Sequence, residues 1–308
     1  MIGITKWRKN CMTYDFHQGV RENSSGKIGL FVISAILAVV LSFVALVRPA
    51  AAATTNVACA NLPVAIANAT AGDTLIVSGT CTITTNSVID KQLTIQGASD
   101  LLISTNGTNQ IVTLTASGTT LDGLHFVKID KTGVQNIIGV QADNVTVTNS
   151  TFSGQYVLGD NDVSRALEVS GVKNFTLTNS SFQSLRQPAY INDFATGTID
   201  NNYVDQTKGF VIVANTNFTF SGNSWGTNVV DIAFIPGTPN NYSCAAVKQI
   251  RIANNNANVQ NQAQVTPCAT YPLTKAECKE NKWKTYTETI FKNQGQCVST
   301  FASNKQNS

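Results

Sequence analysis

Apolar and polar residues alternate along two copies of a short motif in the middle of the chain. Residues 144–152 read NVTVTNSTF, and residues 174–182 read NFTLTNSSF. Alternation with a period of two predicts a β-strand with one buried face. Asn tolerates the tight turn that would follow such a strand, and the Phe three residues later would re-enter the core. Each copy therefore predicts a strand, a corner and the start of the next strand.

Weaker copies of the motif occur on both sides. An apolar residue recurs at the same place in each copy, at Ile95, Leu121, Val147, Leu177, Ile199, Phe220 and Ile252. A second apolar strand precedes several of them, at residues 111–114, 138–140, 166–169 and 211–213. Successive apolar positions of the motif are 21–32 residues apart. Repeats of this length predict a solenoid whose stacked rungs share one core. We expect an all-β fold, a parallel β-helix of about seven or eight rungs. A β-sandwich is the alternative, but its strands would lack a fixed place within the repeat.

The ends of the chain differ from this repeat, and three segments are expected: a leader at 1–53, the β-helix at 54–265 and a Cys-containing tail at 266–308. The leader contains Ile28 to Val47, an uncharged apolar stretch long enough to span a bilayer. The small residues after it fit a signal-peptidase site after Ala53, with a retained membrane anchor as the alternative. The leader's positive charges favour export of everything after it.

The charge distribution argues against nucleic acid as a partner. The net charge of the chain is +3, and the leader alone accounts for it. The remainder is nearly neutral with scattered charges, whereas a nucleic-acid-binding surface is basic. A membrane is expected as a partner only through an uncleaved leader.

The cysteines indicate an oxidising compartment. Six of them follow the leader, and an even number in an exported chain predicts disulfides. Their local spacing favours the pairs Cys59–Cys81, Cys244–Cys268 and Cys278–Cys297. Free thiols are the alternative, and metal binding is disfavoured because no CxxC spacing occurs. We therefore expect a secreted or extracytoplasmic protein.

Residues 62–99, LPVAIANATAGDTLIVSGTCTITTNSVIDKQLTIQGAS, resemble the start of the pectin-lyase-like superfamily of right-handed parallel β-helices. The residues themselves predict a capping helix over 62–71, with Leu62, Ile66 and Ala69 or Thr70 on one face and Gly72 at its end. The resemblance implies the same, because members of the superfamily open with a helix. The 144–152 and 174–182 rungs are similar to the same superfamily. It contains lyases, glycoside hydrolases, epimerases, tail-spike proteins, adhesins and surface proteins without known activity, so the resemblance specifies the fold better than the function.

The tail has a different character. Residues 278–301, CKENKWKTYTETIFKNQGQCVSTF, resemble a small C-terminal motif of exported bacterial proteins. Trp283 and Phe291 are expected to form a tiny core that needs the disulfide for support.

Catalytic signals are sparse. The patterns NTD, DD, GHG and RIK of the β-helix hydrolases do not occur, and glycoside hydrolysis needs two carboxyl groups. His125, which lies between Leu124 and Phe126, is expected to point outward. No cofactor is expected, although Asp160 and Asp162 form a weak candidate for Ca²⁺, whose ligands are oxygens.

The best candidate site is a shallow lateral groove on two successive rungs, predicted from five residues: Arg165, Glu168, Arg186, Tyr190 and Asp193. An aromatic ring beside carboxylates and Arg suits sugar binding, and an ordinary solvated strand face is the alternative. Asn residues at matching corners are expected to stack as an internal ladder, namely Asn149, Asn179, Asn223 and Asn254. The sequence thus favours a secreted or surface protein that binds glycans or another surface, with a divergent polysaccharide lyase or glycoside hydrolase as the alternative.

Overall fold

A computed structural model describes residues 51–105, 110–129, 136–160, 164–264, 275–284, 286 and 291–304. Three parallel sheets of eight, seven and eight strands, here sheets A, B and C, run along the molecule. The chain passes from A to B to C and then returns to A one rung further on. The predicted parallel β-helix of about eight turns is confirmed.

Sheet A contains β1 (Thr54–Ala58), β2 (Thr74–Ser78), β5 (Thr94–Gly97), β8 (Thr120–Asp122), β11 (Thr146–Thr148), β14 (Phe175–Thr178), β17 (Thr196–Asp200) and β20 (Asn217–Ser221). Sheet B contains β3 (Thr80–Thr82), β6 (Leu102–Thr105), β9 (His125–Lys128), β12 (Thr151–Ser153), β15 (Ser181–Gln183), β18 (Tyr203–Asp205) and β21 (Ser224–Trp225). Sheet C contains β4 (Ser87–Ile89), β7 (Val112–Leu114), β10 (Asn136–Val140), β13 (Arg165–Ser170), β16 (Gln187–Asn192), β19 (Phe210–Val213), β22 (Ile232–Ile235) and β23 (Val259–Asn261).

The register within sheet A confirms the repeat for six of the seven equivalent positions. Five successive pairings across adjacent strands join the first six positions, and all six are buried: Ile95, Leu121, Val147, Leu177, Ile199 and Phe220. The prediction for the seventh position was wrong, because Ile252 lies in a helix and is 39% exposed.

The alternation also decides what faces inward and outward. In sheet B the inward Phe126, Phe152 and Phe182 stack with centroid separations of 5.2 and 5.1 Å. In sheet A one outward position is threonine at all eight strands, in the register Thr54, Thr74, Thr94, Thr120, Thr146, Thr176, Thr198 and Thr219. Equivalent side chains on neighbouring strands repeat at roughly 4.8 Å. The core is therefore a set of apolar columns, and the surface repeats with the same period.

The N-terminal cap is helix α1 (Leu62–Asn68), which buries Leu62 and Ile66 as predicted. The helix ends before Gly72 because the segment after Asn68 forms a turn around Asp73. That carboxylate accepts hydrogen bonds from the backbone N–H groups of Ala53 and Thr70, at 2.8 and 2.7 Å. The cap is joined to the first rung by the predicted disulfide Cys59–Cys81, with Cα atoms 5.6 Å apart.

The C-terminal end of sheet A is covered by helix α2 (Cys244–Ala253), which packs beside β20. Ser243 caps this helix by accepting a hydrogen bond from the N–H of Ala246 at 3.3 Å. The cap at Ser243 favours a helix in this segment, and this explains why the strand expected around Ile252 does not form. The chain between β22 and α2, which contains the PGTPNN sequence at 236–241, has no regular structure.

The expected ladder of buried Asn side chains exists, but two of the four residues assigned to it do not belong to it. Asn223 and Asn254 are fully buried, and Nδ2 of Asn223 donates to Oδ1 of Asn254 at 2.6 Å. Asn149 and Asn179 instead occupy exposed corner positions with φ values of 50° and 51°. The buried column is formed by the residue that follows each of those corners, and its members are Ser150, Ser180, Asn202, Asn223 and Asn254.

The described part of the tail comprises two 3₁₀ turns, Lys275–Cys278 and Lys282–Lys284, and helix α3 (Gln294–Asn304). The predicted disulfide Cys278–Cys297 lies in a small cluster with Tyr286 and Phe291. Trp283, expected at the centre of this core, is only partly buried and packs against it.

Two predictions concern segments that are only partly described. Cys244 is disulfide-bonded, and its predicted partner Cys268 lies outside the described residues. The apolar leader segment at 28–47 also lies outside them. Among the helices that are described, none has the length and apolar character needed to cross a bilayer.

Candidate functional site

Three of the five predicted groove residues, Arg165, Glu168 and Tyr190, meet on the outer side of sheet C, and Arg186 is near enough to Arg165 to repel it. Arg165 and Glu168 lie on β13, and Tyr190 lies on β16 directly opposite Glu168. Tyr190 points outward because its neighbours Ala189 and Ile191 point into the core, where both are fully buried. Arg186 immediately precedes β16. We call Arg165, Glu168, Arg186 and Tyr190 the Arg–Tyr cluster.

Arg165 forms the centre of this cluster. Its guanidinium carbon lies 4.6 Å from the centroid of the Tyr190 ring, and its Nε donates to Oε1 of Gln187 at 2.6 Å. A cation over an aromatic face is attracted by the ring quadrupole. Burial lowers the pKa of Arg165, the attraction of Glu168 opposes that shift, and repulsion from Arg186 adds to it. The guanidinium is therefore oriented by neighbours on its own rung and the next.

Glu168 is held by a residue that sequence reasoning missed. Nδ2 of Asn136, on β10, donates to the Glu168 carboxylate. Asn136 is only 5% exposed, and it stands opposite Arg165 in the register of β10 and β13. The one feature of the sequence that could have pointed to Asn136 is its position one repeat before Arg165, at the start of the equivalent strand. Asn136, Arg165 and Gln187 thus occupy one line across three rungs.

Arg186 and Asp193 occupy opposite ends of β16. The backbone N–H of Arg186 donates to Oγ of Ser164 at 3.4 Å, and its side-chain Nε is buried without a hydrogen-bond partner. Asp193 lies in the turn after β16 with a φ of 54° and is exposed. Its carboxylate accepts a hydrogen bond from the hydroxyl of Ser170. Asp193 therefore flanks the Arg–Tyr cluster at the corner and is not part of its centre.

The remaining candidates lie elsewhere. His125 is on β9, half-buried on the outward side, next to the fully inward Phe126. Asp160 lies in the corner before β13, whereas Asp162 falls outside the described residues. Within the described ranges, no three His, Cys, Asp or Glu side chains converge as metal ligands would. The Ca²⁺ candidate at Asp160 and Asp162 stays a prediction.

No family model, curated protein or solved structure matches the chain. The parallel β-solenoid is consistent with a β-helix superfamily, and the disulfides fit an extracellular protein. The closer assignment to the pectin-lyase-like superfamily rests on the sequence motifs and stays a prediction.

Proposed function

We propose that this is an exported protein that binds glycans through the Arg–Tyr cluster on the outer side of sheet C. The observation that carries the proposal is the guanidinium of Arg165 over the ring of Tyr190, beside a carboxylate on the adjacent strand. An aromatic ring offers an apolar surface to the C–H groups of a sugar. Charged side chains next to it form strong hydrogen bonds with hydroxyls.

The scaffold supports this use. Tyr190, Arg165 and Glu168 are each partly exposed, while their strands are fixed by buried neighbours on both sides. Binding sites built on rigid strands position their side chains more precisely than binding sites on loops. Strands of one sheet lie about 4.8 Å apart, so the three rungs from β10 to β16 span about 10 Å, which suits one or two sugar units.

The test is a glycan array probed with the oxidised full chain and with Tyr190→Ala. We expect the wild type to bind a defined subset of glycans and the variant to bind them at least ten-fold more weakly. Tyr203→Ala is the matched control, because Tyr203 is 45% exposed on β18 in sheet B. Equal binding by Tyr190→Ala and wild type, or no glycan binding by the wild type, would contradict the proposal.

The alternative, a lyase or glycoside hydrolase with a divergent site, comes from the resemblance alone. A hydrolase needs a second carboxyl group roughly 5–10 Å from the first, and Glu168 is the one carboxylate that the described residues place in the Arg–Tyr cluster. Incubation with pectin, alginate and heparin-like polymers, followed by assays for reducing ends and unsaturated uronide, tests this alternative. Product formation that Glu168→Gln abolishes would favour the enzyme.

A further inference from the structure

An open cleft of about 290 Å³ lies between the last described strand of sheet A and the helix that packs beside it. One wall consists of residues 217–220 on β20, and the other contains Ala246, Ile250 and Ala253 of α2. Pockets for small ligands begin at about 300 Å³. The cleft lies beside sheet A, whereas the Arg–Tyr cluster lies on sheet C, so the cleft is a separate candidate site.

The backbone groups of β20 alternate in direction, and every second residue directs them toward α2. The N–H of Asn217 donates at 2.9 Å to the carbonyl oxygen of Ala195, just before β17, so Asn217 bonds toward the neighbouring rung. Successive residues of a strand direct their N–H and C=O groups to opposite sides. Phe218 and Phe220 therefore direct theirs to the open edge, where a further strand of the sheet would bind.

Two of these four edge groups are paired by side chains, and two are not. The N–H of Phe218 donates to the hydroxyl of Tyr242 at 2.9 Å, and the carbonyl oxygen of Phe220 accepts from Nδ2 of Asn254 at 3.0 Å. Within the described ranges, the carbonyl oxygen of Phe218 and the N–H of Phe220 have no hydrogen-bond partner, although these residues are only 3% and 4% exposed. Buried backbone groups are nearly always paired, so these two indicate a ligand.

The two unpaired groups define what can bind. In a parallel sheet, a C=O and an N–H that flank one residue bind the N–H and the C=O of a single residue on the next strand. Main-chain hydrogen bonds of this kind give affinity where a peptide adds to the edge of a sheet. Here only one residue of a peptide could pair, opposite Thr219, because Tyr242 and Asn254 occupy the edge groups on either side.

The lining of the cleft indicates an uncharged ligand. None of the described residues that line it carries a charge, and three of them are amides, namely Asn217, Asn241 and Gln249. Burial of the ammonium and carboxylate groups of a free amino acid would cost free energy that no charged partner in the lining offsets. The side-chain amides offer both donors and acceptors to the neutral peptide groups that flank a central residue.

We infer that the cleft between β20 and α2 binds a short neutral peptide. The central residue of this peptide donates its N–H to the carbonyl oxygen of Phe218, and its own carbonyl oxygen accepts the N–H of Phe220. This binding goes beyond the proposed function, and it does not depend on glycan binding at the Arg–Tyr cluster.

The experiment titrates two isomeric probes against the isotopically labelled, oxidised full chain and follows the backbone amides by nuclear magnetic resonance. N-acetylalanine dimethylamide keeps the N–H and C=O of its central residue, whereas N-acetyl-N-methylalanine methylamide lacks that N–H. We expect the first probe to shift the amide proton of Phe220 downfield. It should bind at least about five-fold more tightly than the second, which leaves the carbonyl oxygen of Phe218 unpaired. Free alanine, which is zwitterionic, should also bind at least about five-fold more weakly than the first probe.

Ala246→Leu should fill the cleft and weaken binding of the first probe by at least about ten-fold. Ala245→Leu is the matched control, because Ala245 is also half-buried on α2 but does not line the cleft. Denaturation midpoints identify any loss due to unfolding, and Ala253→Leu, at an exposed lining position, then provides the second reading.

Four outcomes would overturn the inference while the proposed glycan binding stands. They are equal binding of the two isomers, an amide of Phe220 that no probe shifts, free alanine that binds as tightly as the first probe, and equal losses in Ala245→Leu and Ala246→Leu.

Discussion

The buried polar column beside sheet A offers the sharpest test of how the rungs are held together. Asn223 is fully buried. Its Oδ1 accepts from the backbone N–H and the side-chain Nδ2 of Asn202, at 2.9 and 3.0 Å. Its Nδ2 donates to the carbonyl oxygen of Ile199 at 3.0 Å and to Oδ1 of Asn254 at 2.6 Å. One side chain therefore connects three successive rungs.

Asn223→Ala removes all four of these hydrogen bonds and leaves their partners buried. At about 1 kcal/mol for each bond, the free energy of unfolding should fall by about 4 kcal/mol. Asn223→Ser should lose about half as much, roughly 2 kcal/mol. The reason is that Ser180 already occupies the same column, where its Oγ accepts the N–H of Ser150 at 3.2 Å. A serine hydroxyl in this column can therefore accept the same backbone hydrogen bond from the preceding rung that the Asn223 amide accepts.

Guanidinium unfolding followed by circular dichroism measures both variants, with the midpoint shift interpreted only where the slope is unchanged. Fluorescence of Trp225 gives a local probe, because its Nε1 donates to the backbone oxygen of Asn254 at 2.8 Å. Asn217→Ala is the control, since Asn217 is exposed on β20, and its effect should stay within about 0.5 kcal/mol. A loss below about 1 kcal/mol for Asn223→Ala, or a larger loss for Asn223→Ser, would refute the reasoning.

Three further predictions test the aromatic column, the N-terminal turn and the tail. Phe152→Ala should destabilise the solenoid by about 3–5 kcal/mol in the same unfolding assay, because the ring is buried between two stacked Phe neighbours. The hydrogen bond from the backbone of Ala53, followed by those from Thr70, lowers the pKa of Asp73. Its stabilising effect is therefore complete above the ordinary carboxyl pKa and lost as the pH falls through the lowered folded-state pKa. Melting temperatures recorded from neutral to acid pH should show this loss in the wild type and a flatter profile in Asp73→Asn. Reduction of the disulfides should unfold residues 270–308 while the β-sheet dichroism persists, and early proteolysis of the solenoid instead of the tail would contradict this.

The sequence was sufficient to predict the inward columns of the solenoid. A strict period of two along short strands, repeated every 21–30 residues from Ile95 to Phe220, leaves little freedom in which residues stack. This is why the sheet A register from Ile95 to Phe220 agrees with the structure. The disulfides Cys59–Cys81 and Cys278–Cys297, which also agree, were predicted separately from the local spacing of the cysteines. The corners were less predictable. Asn149 and Ser150 are adjacent polar residues, and either could face inward until the strand ends on both sides are known.

The errors and omissions have a common physical cause. Ile250 to Ile252 alternate like a strand, but the capping Ser243 and the tertiary position at the end of sheet A favour helix. Tertiary context overrides a three-residue pattern. Asn136 was missed because its one sequence signal, a position one repeat before Arg165, does not by itself distinguish it from other polar residues at strand starts. Its importance appears only when the register places it opposite Arg165.

Helix α2 gives sheet A a definite end. In cross-β fibrils, identical strands add to an open edge at a repeat of about 4.7–4.8 Å, nearly the same spacing that joins the rungs of this solenoid. The last strand, β20, would offer such an edge, but α2 packs beside it, and the backbone groups of a helix are bonded within the helix itself. A further copy of the chain therefore cannot extend sheet A by adding a strand there. At this edge of sheet A, the solenoid has the strand spacing of a fibre but presents a helix where a fibre would present a strand.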